Sequence, residues 1–336
     1  MPQVTDAAKR LLLGRAMRSD RLHETLLPKR VALPVFASDA LSSVAYAPDE
    51  IFLTLGIAGF AAYSFSWKVG IAVSLVMLVV VASYRQNVHA YPSGGGDYEV
   101  ATVNLGARPG LTVASALLVD YVLTVAVSIS SAAQYAASTI DAFQGREVAV
   151  AVVSVLVLMS ANLRGVRESG TVFAIPTYGF MLAIFGMAAW GFSRHLFGDL
   201  PDVASAQFEL AAEDHYEQGL VGLAGAFLLL RAFSSGCAAL TGVEAISNGV
   251  PAFRKPKSRN AATTLLMLGT IAVTMMMSIV VLAKMSGLRY AEDPVEQLRL
   301  GGEEGTALAN GGVEFPDGTR YVQDPVIGQL ADAIFD

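Results

Sequence analysis

Apolar residues fall in seven long runs, near 31–58, 67–84, 112–139, 147–161, 171–193, 220–248 and 262–286, with most charged residues in the gaps between them. A membrane-crossing helix needs about 20 such residues, so the pattern predicts seven transmembrane spans, the fourth a short one. Spans one and six are long, and both are interrupted midway by small or polar residues. These are Ser38, Ser42 and Ser43 in one, and Ser234, Ser235 and Gly236 in the other. Each also carries an acid, Asp39 or Glu244. A carboxylate at mid-bilayer depth is costly unless it is paired, protonated or facing a polar cavity. Pro48 and the Ser42–Ser43 pair also weaken the helix around Asp39. Both spans are therefore predicted to break, with an ion site at the breaks. They lie five spans apart, as expected of a five-plus-five inverted repeat whose first helices unwind at the substrate.

Composition agrees with a membrane class. Of 336 residues 54% are hydrophobic and 15% charged, and the mean hydropathy is +0.51. Soluble domains average about 25% charged. The first thirty residues contain no apolar run that could serve as a signal peptide. Arg10, Arg15, Arg18, Arg21, Lys29 and Arg30 precede span one, Arg164 and Arg167 follow span four, and Arg254, Lys255, Lys257 and Arg259 follow span six. With alternating spans all of these lie on one side. Asp199, Asp202, Glu209, Glu213, Asp214 and Glu217 lie on the other. The positive-inside rule then predicts a multi-pass protein of the cell membrane with a cytoplasmic N-terminus. The net charge of −6 reflects the acidic outer loops and implies no basic ligand.

Three regions follow: a cytoplasmic segment 1–30, a transport domain 31–286, and an extracytoplasmic loop 287–336 with a short amphipathic stretch from Val326 to Phe335. An odd number of spans predicts an incomplete chain. Cys237 is the one cysteine, so no disulfide can form within the chain. His23, His89, His195 and His215 show no metal-ligand spacing. Gly94-Gly95-Gly96 lacks the Lys-Ser/Thr of a phosphate loop and is expected to gate or re-enter. Arg231, inside span six, is expected to pair with an acid or reach a wetter region.

The motifs resemble a known family. Pro92-Ser-Gly-Gly-Gly-Asp-Tyr98 is similar to the Pro-x-Gly-Gly-x-Tyr loop of the amino acid–polyamine–organocation superfamily. Asn162-Leu-Arg-Gly-Val-Arg-Glu-Ser-Gly170 is similar to its loop after span four, and Thr241-Gly-Val-Glu-Ala-Ile246 to its sixth-helix Gly-x-Glu motif. The segments from Phe36 to Pro48 and from Leu230 to Glu244 resemble the KUP-type potassium–proton symporters. The resemblance implies an all-α integral membrane fold, the LeuT-like five-plus-five inverted repeat, truncated after about seven transmembrane helices.

The chemistry points the same way. Amino acid carriers of this superfamily place a glycine-rich break in span one, whose free N–H groups hold the substrate carboxylate. Here that segment has no glycine and has Asp39, which repels a carboxylate and attracts a cation. Asp39 and Tyr46 lie about two turns apart and share a side. Asp120 and Thr124 share a face of span three, and Thr241 and Glu244 share a face of span six. Carboxylate, phenol and hydroxyl oxygens suit a hard or weakly hydrated cation. The resemblance implies that Asp39, Tyr46, Asp120, Thr124, Thr241 and Glu244 line the ion path, joined in the family by residues of later spans. Three neighbouring buried acids cannot easily all ionise, so one of Asp39, Asp120 and Glu244 is expected to take the coupled proton.

Quieter roles stand beside these. Asp39 or Asp120 can pair with a basic residue, Glu244 can anchor the end of its helix, Tyr46 can be interfacial, and both threonines can bond backbone carbonyls. The first functional reading is potassium import coupled to protons, with no resident cofactor. The second is a proton-coupled amino acid or polyamine permease, and the third is a non-transporting sensor or fragment. No enzyme chemistry is visible. The partners read from the chain are potassium, protons and the bilayer, with room for a homodimer and none for nucleic acid.

Overall fold

The computed structural model describes residues 26–163, 166–216, 219–308 and 311–335. Arg10, Arg15, Arg18, Arg21, His23, Arg164 and Glu217 lie outside the described residues, as does the side chain of Arg167.

Among the described residues, six helices are long and apolar enough to cross a membrane. They are the first span Lys29–Gly56, the second Ser66–Ala90, the third Ala107–Thr139, the fifth Val166–Phe197, the sixth Gly222–Asn248 and the seventh Lys257–Met285. The fourth, Glu147–Asn162, has 16 residues. That is about 24 Å of helix, short of a hydrocarbon core of about 30 Å. The seven predicted spans thus resolve into six full-length helices and one short one. Helix is the answer throughout because lipid offers no partner for backbone N–H and C=O groups.

Spans one, two, six and seven form the packed centre. Span one is the most enclosed, with 67% of its apolar window buried, against 6% for span three. Leu41, Ile51, Phe52, Leu55, Met77, Leu265 and Leu268 fill the core. Small residues let the backbones approach. Gly269 faces Val81, and Gly236 faces Ile51 and Val73 at distances that leave no room for a side chain.

The predicted break in span one is absent. Lys29–Gly56 is one continuous helix of 28 residues with Pro34 and Pro48 inside it. The hydroxyls of Ser42 and Ser43 fold back onto the carbonyl of Asp39, at 2.8 and 3.0 Å, and remain within the helix. Each proline removes one N–H and crowds the preceding turn. Burial on several sides outweighs that local cost.

Two folded layers lie at the ends of the bundle. On the N-terminal face, Leu27 pairs with Ala252 and Arg254, strapping the start of span one to the segment after span six. On the far face, residues 199–216 and 287–335 fold together. Strand β1 (Glu209–Leu210) pairs antiparallel with β2 (Leu298–Leu300), which pairs with β3 (Glu303–Glu304). A second small sheet joins β4 (Thr306–Ala307), β5 (Val313–Glu314) and β6 (Arg320–Tyr321). Phe208 stacks on Phe315 with ring centroids 4.9 Å apart. The helix Val326–Phe335 then lies back across spans one, three, five and seven. Arg194 of span five donates to its Ile334 carbonyl at 2.7 Å.

Candidate ion site

Span six does break. Its helix runs Gly222–Gly236, tightens into a 3-10 turn at Cys237–Leu240, opens at Thr241 and resumes at Ala245–Asn248. Gly242 adopts φ +78°, a conformation that glycine accepts and other residues resist. Asp39 of span one lies directly against this glycine, so a Cβ there would collide with the carboxylate. An unbroken helix bearing an acid thus faces the break in its partner.

Ser43, fully buried, is the hub between the two spans. Its Oγ lies 2.7 Å from the Tyr46 hydroxyl and 2.6 Å from Thr241 Oγ1. It also reaches the Asp39 carbonyl, while Thr241 Oγ1 reaches the Ala238 carbonyl at 2.9 Å. Three hydroxyl groups supply three protons for these four contacts. At any moment one contact sets lone pair against lone pair. Such a surplus of oxygen lone pairs favours a positive charge among them.

Of the sequence-predicted residues, Tyr46 and Thr241 meet through Ser43, and Asp39 meets Gly242, the neighbour of Thr241. Asp39, Asp120 and Glu244 lie within electrostatic reach of one another. They do not converge on one point: among the described residues no three acidic, histidine or cysteine side chains could grip a metal ion together. Glu244 is 8% exposed, and its Oε1 is buried with no hydrogen-bond partner among the described residues. Thr124 is buried, but no hydrogen bond joins it to the others among the described residues. Tyr46 is buried in the bundle. Arg231 is exposed on span six, within electrostatic reach of Glu50.

Several participants were missed from sequence. Ser43, helix-weakening by its sequence context, is the link between spans. Gly242 carries the close approach, and its Thr-Gly-x-x-Glu context was the available signal. Asp49, beside Glu50, carries no distinguishing signal in the sequence. It is 8% exposed and accepts hydrogen bonds from Tyr135 and from the backbone of Val326. The Gly94–Gly96 loop, expected to gate or re-enter, packs against Asn248 and Pro251.

Residues 36–291 match the amino acid permease family. The chain belongs to that family. It is a multi-pass membrane protein of the amino acid–polyamine–organocation type with an all-α membrane fold. It is similar to the potassium transporter KimA of Bacillus subtilis (strain 168), with 43% identity over 277 residues. That match covers 82% of this chain and 44% of KimA, so the chain spans less than half the length of that relative.

Proposed function

We propose that this permease carries potassium inward together with protons, as a KUP-type symporter of the cell membrane with its N-terminus in the cytoplasm. One observation carries the reading: an acid on an unbroken first span faces the break in span six. A continuous helix frees no row of N–H groups in span one, so that span offers no cradle for an amino acid's carboxylate. Asp39 would repel such a group. The oxygen-rich cluster of Ser43, Tyr46 and Thr241 offers a weakly hydrated cation replacements for its water shell. The similarity to a potassium transporter supports the same substrate.

In this reading Asp39, Asp120 and Glu244 supply the compensating charge, and Tyr46, Thr124 and Thr241 supply neutral oxygens. The hydroxyls of Ser43 and Thr241 turn their protons toward backbone carbonyls when the ion enters, which resolves the surplus of lone pairs. One of the three acids exchanges a proton as the ion binds or leaves, because the three cannot easily all stay ionised without a cation. The basic residues at the N-terminal face orient the protein with that face inward.

Growth rescue of a potassium-uptake-deficient bacterium at low potassium tests the proposal, using the complete gene product and its Asp39→Asn variant. The expected result is rescue by the first and none by the second, with rubidium and caesium competing for uptake. Failure of a well-expressed protein to rescue would overturn it. Competition by alanine or spermidine in place of rubidium would favour an amino acid or polyamine carrier.

A further inference from the structure

A surface groove opens where spans two and seven reach the far face. Its volume is about 410 Å³, and it is lined by Trp67, Met277, Val281, Lys284 and Met285. Met277, Val281 and Lys284 recur at helical spacing, so they share one side of span seven. A close approach of the two spans sets its depth. A Cβ at Gly70 of span two would stand 3.1 Å from the Met277 sulfur, so the glycine lets that methionine in. Methionine is unbranched and polarizable, and two of them give the groove an adaptable apolar wall. Trp67, at the far-face end, is 39% exposed.

Two lysines flank this groove. Lys68, in the first turn of span two, holds its Nζ 4.3 Å from the Phe65 ring centroid and 5.8 Å from that of Trp67. Lys284 stands in the last turn of span seven. Both are exposed. Other cations of the far face pair with acids: Arg194 with Asp199, Arg299 with Glu304 and Arg320 with Glu314. Among the described residues neither Lys68 nor Lys284 forms an ion pair, although the far-face layer is rich in acids. Unpaired ammonium groups beside an apolar groove suit a ligand with an anionic head and an apolar tail. A small anion would leave the methionine wall unused, and a neutral chain would leave the lysines unused. Lysine stems lie along apolar surface while their heads reach the headgroup level, and tryptophan favours that same level.

We propose that Lys68 and Lys284 hold the phosphate of an anionic phospholipid beside Trp67, with one acyl chain lying in the groove along Met277 and Val281. The site does not depend on which ion the protein carries. The groove accepts the chain of any phospholipid, and the lysines add the preference for a negative head, since each cation near an anionic headgroup contributes attraction. The lipid touches spans two and seven together, both members of the packed centre, and so acts as a clip between their far ends.

Fluorescence quenching in lipid vesicles tests this with the full-length protein, the Trp67 signal being the difference between wild type and Trp67→Phe. The probes are phosphatidylglycerol and phosphatidylcholine, each brominated on its acyl chains. Phosphatidylglycerol is expected to reach half-maximal quenching at a mole fraction roughly tenfold below that of phosphatidylcholine. Lys68→Gln combined with Lys284→Gln should bring the two lipids to within about twofold of each other. Val281→Phe fills part of the groove with both lysines intact, and should weaken quenching by both lipids. It decides the matter if the double variant fails to give a monodisperse protein. Equal quenching by the two lipids in wild type, a preference that survives the double substitution, or quenching unchanged by Val281→Phe would each overturn the site. So would a Trp67 signal that neither lipid quenches, because the groove would then be covered by protein.

Discussion

Asp49→Ala tests whether the far-face layer is held by a single buried acid. Asp49 lies near the far end of span one and is 8% exposed. Its Oδ2 accepts from the Tyr135 hydroxyl of span three at 3.1 Å. Its Oδ1 accepts from the N–H of Val326 at 3.2 Å, at the start of the helix Val326–Phe335. A helix begins with orphan N–H groups and a partial positive charge, so a carboxylate there serves as a cap. Removing the acceptor leaves two donors unmatched at about 1–3 kcal/mol each, and these two bonds are long, so about 1.5 apiece is appropriate. Removing the carboxylate also relieves about 1 kcal/mol or more of its burial cost. The net loss expected is about 2 kcal/mol, or roughly a thirtyfold rise in opening of the terminal helix. Hydrogen exchange on the full-length protein in detergent reads this directly. Amides of 326–335 should exchange faster by that factor, while those of spans two and seven stay unchanged. Equal protection of 326–335 in both proteins would refute the reasoning, as would uniform loosening of the whole bundle.

Other consequences can be checked with single variants. Ser43→Ala leaves the buried hydroxyls of Tyr46 and Thr241 without their shared partner. It should raise the half-saturating rubidium concentration by roughly tenfold, since an unmatched buried donor costs about 1–3 kcal/mol. Gly242→Ala places a Cβ against Asp39 at φ +78°. It should cost roughly 1–3 kcal/mol of strain and abolish the gain in melting temperature on adding potassium; an intact gain would count against the close approach. Burial, helped by the charge of Asp332, pushes the Asp324 carboxyl above the ordinary aspartate range. The folded layer then holds that proton more tightly than the unfolded chain, so stability falls as pH rises between the two pKa values. Asp324→Asn should flatten that part of the pH–stability profile, and an unchanged slope would exclude Asp324 as its source.

Some of this was readable from sequence because it depends on neighbours along the chain. Hydropathy over about 20 residues is a local sum, so the helices appear where the apolar runs lie. Ser234, Ser235 and Gly236 mark the break in span six for the same reason. The identical kind of cue misled at span one. Proline and serine report a local weakness, whereas the packing of spans five, six and seven around that helix decides whether the weakness opens. Asp49 shows the limit most plainly. Beside Glu50 it looks like the polar end of a span, yet its partners are Tyr135 and Val326, 86 and 277 residues away. Asp39 announced itself as an acid in an apolar run, but its seat on Gly242 and the role of Ser43 as a link, the latter across 198 residues, come from contacts between distant parts of the chain. Sequence alone determined that this chain crosses a membrane and where costly polar groups enter it. The tertiary structure decided which of those groups meet, because burial and hydrogen bonding depend on surfaces that only folding brings together.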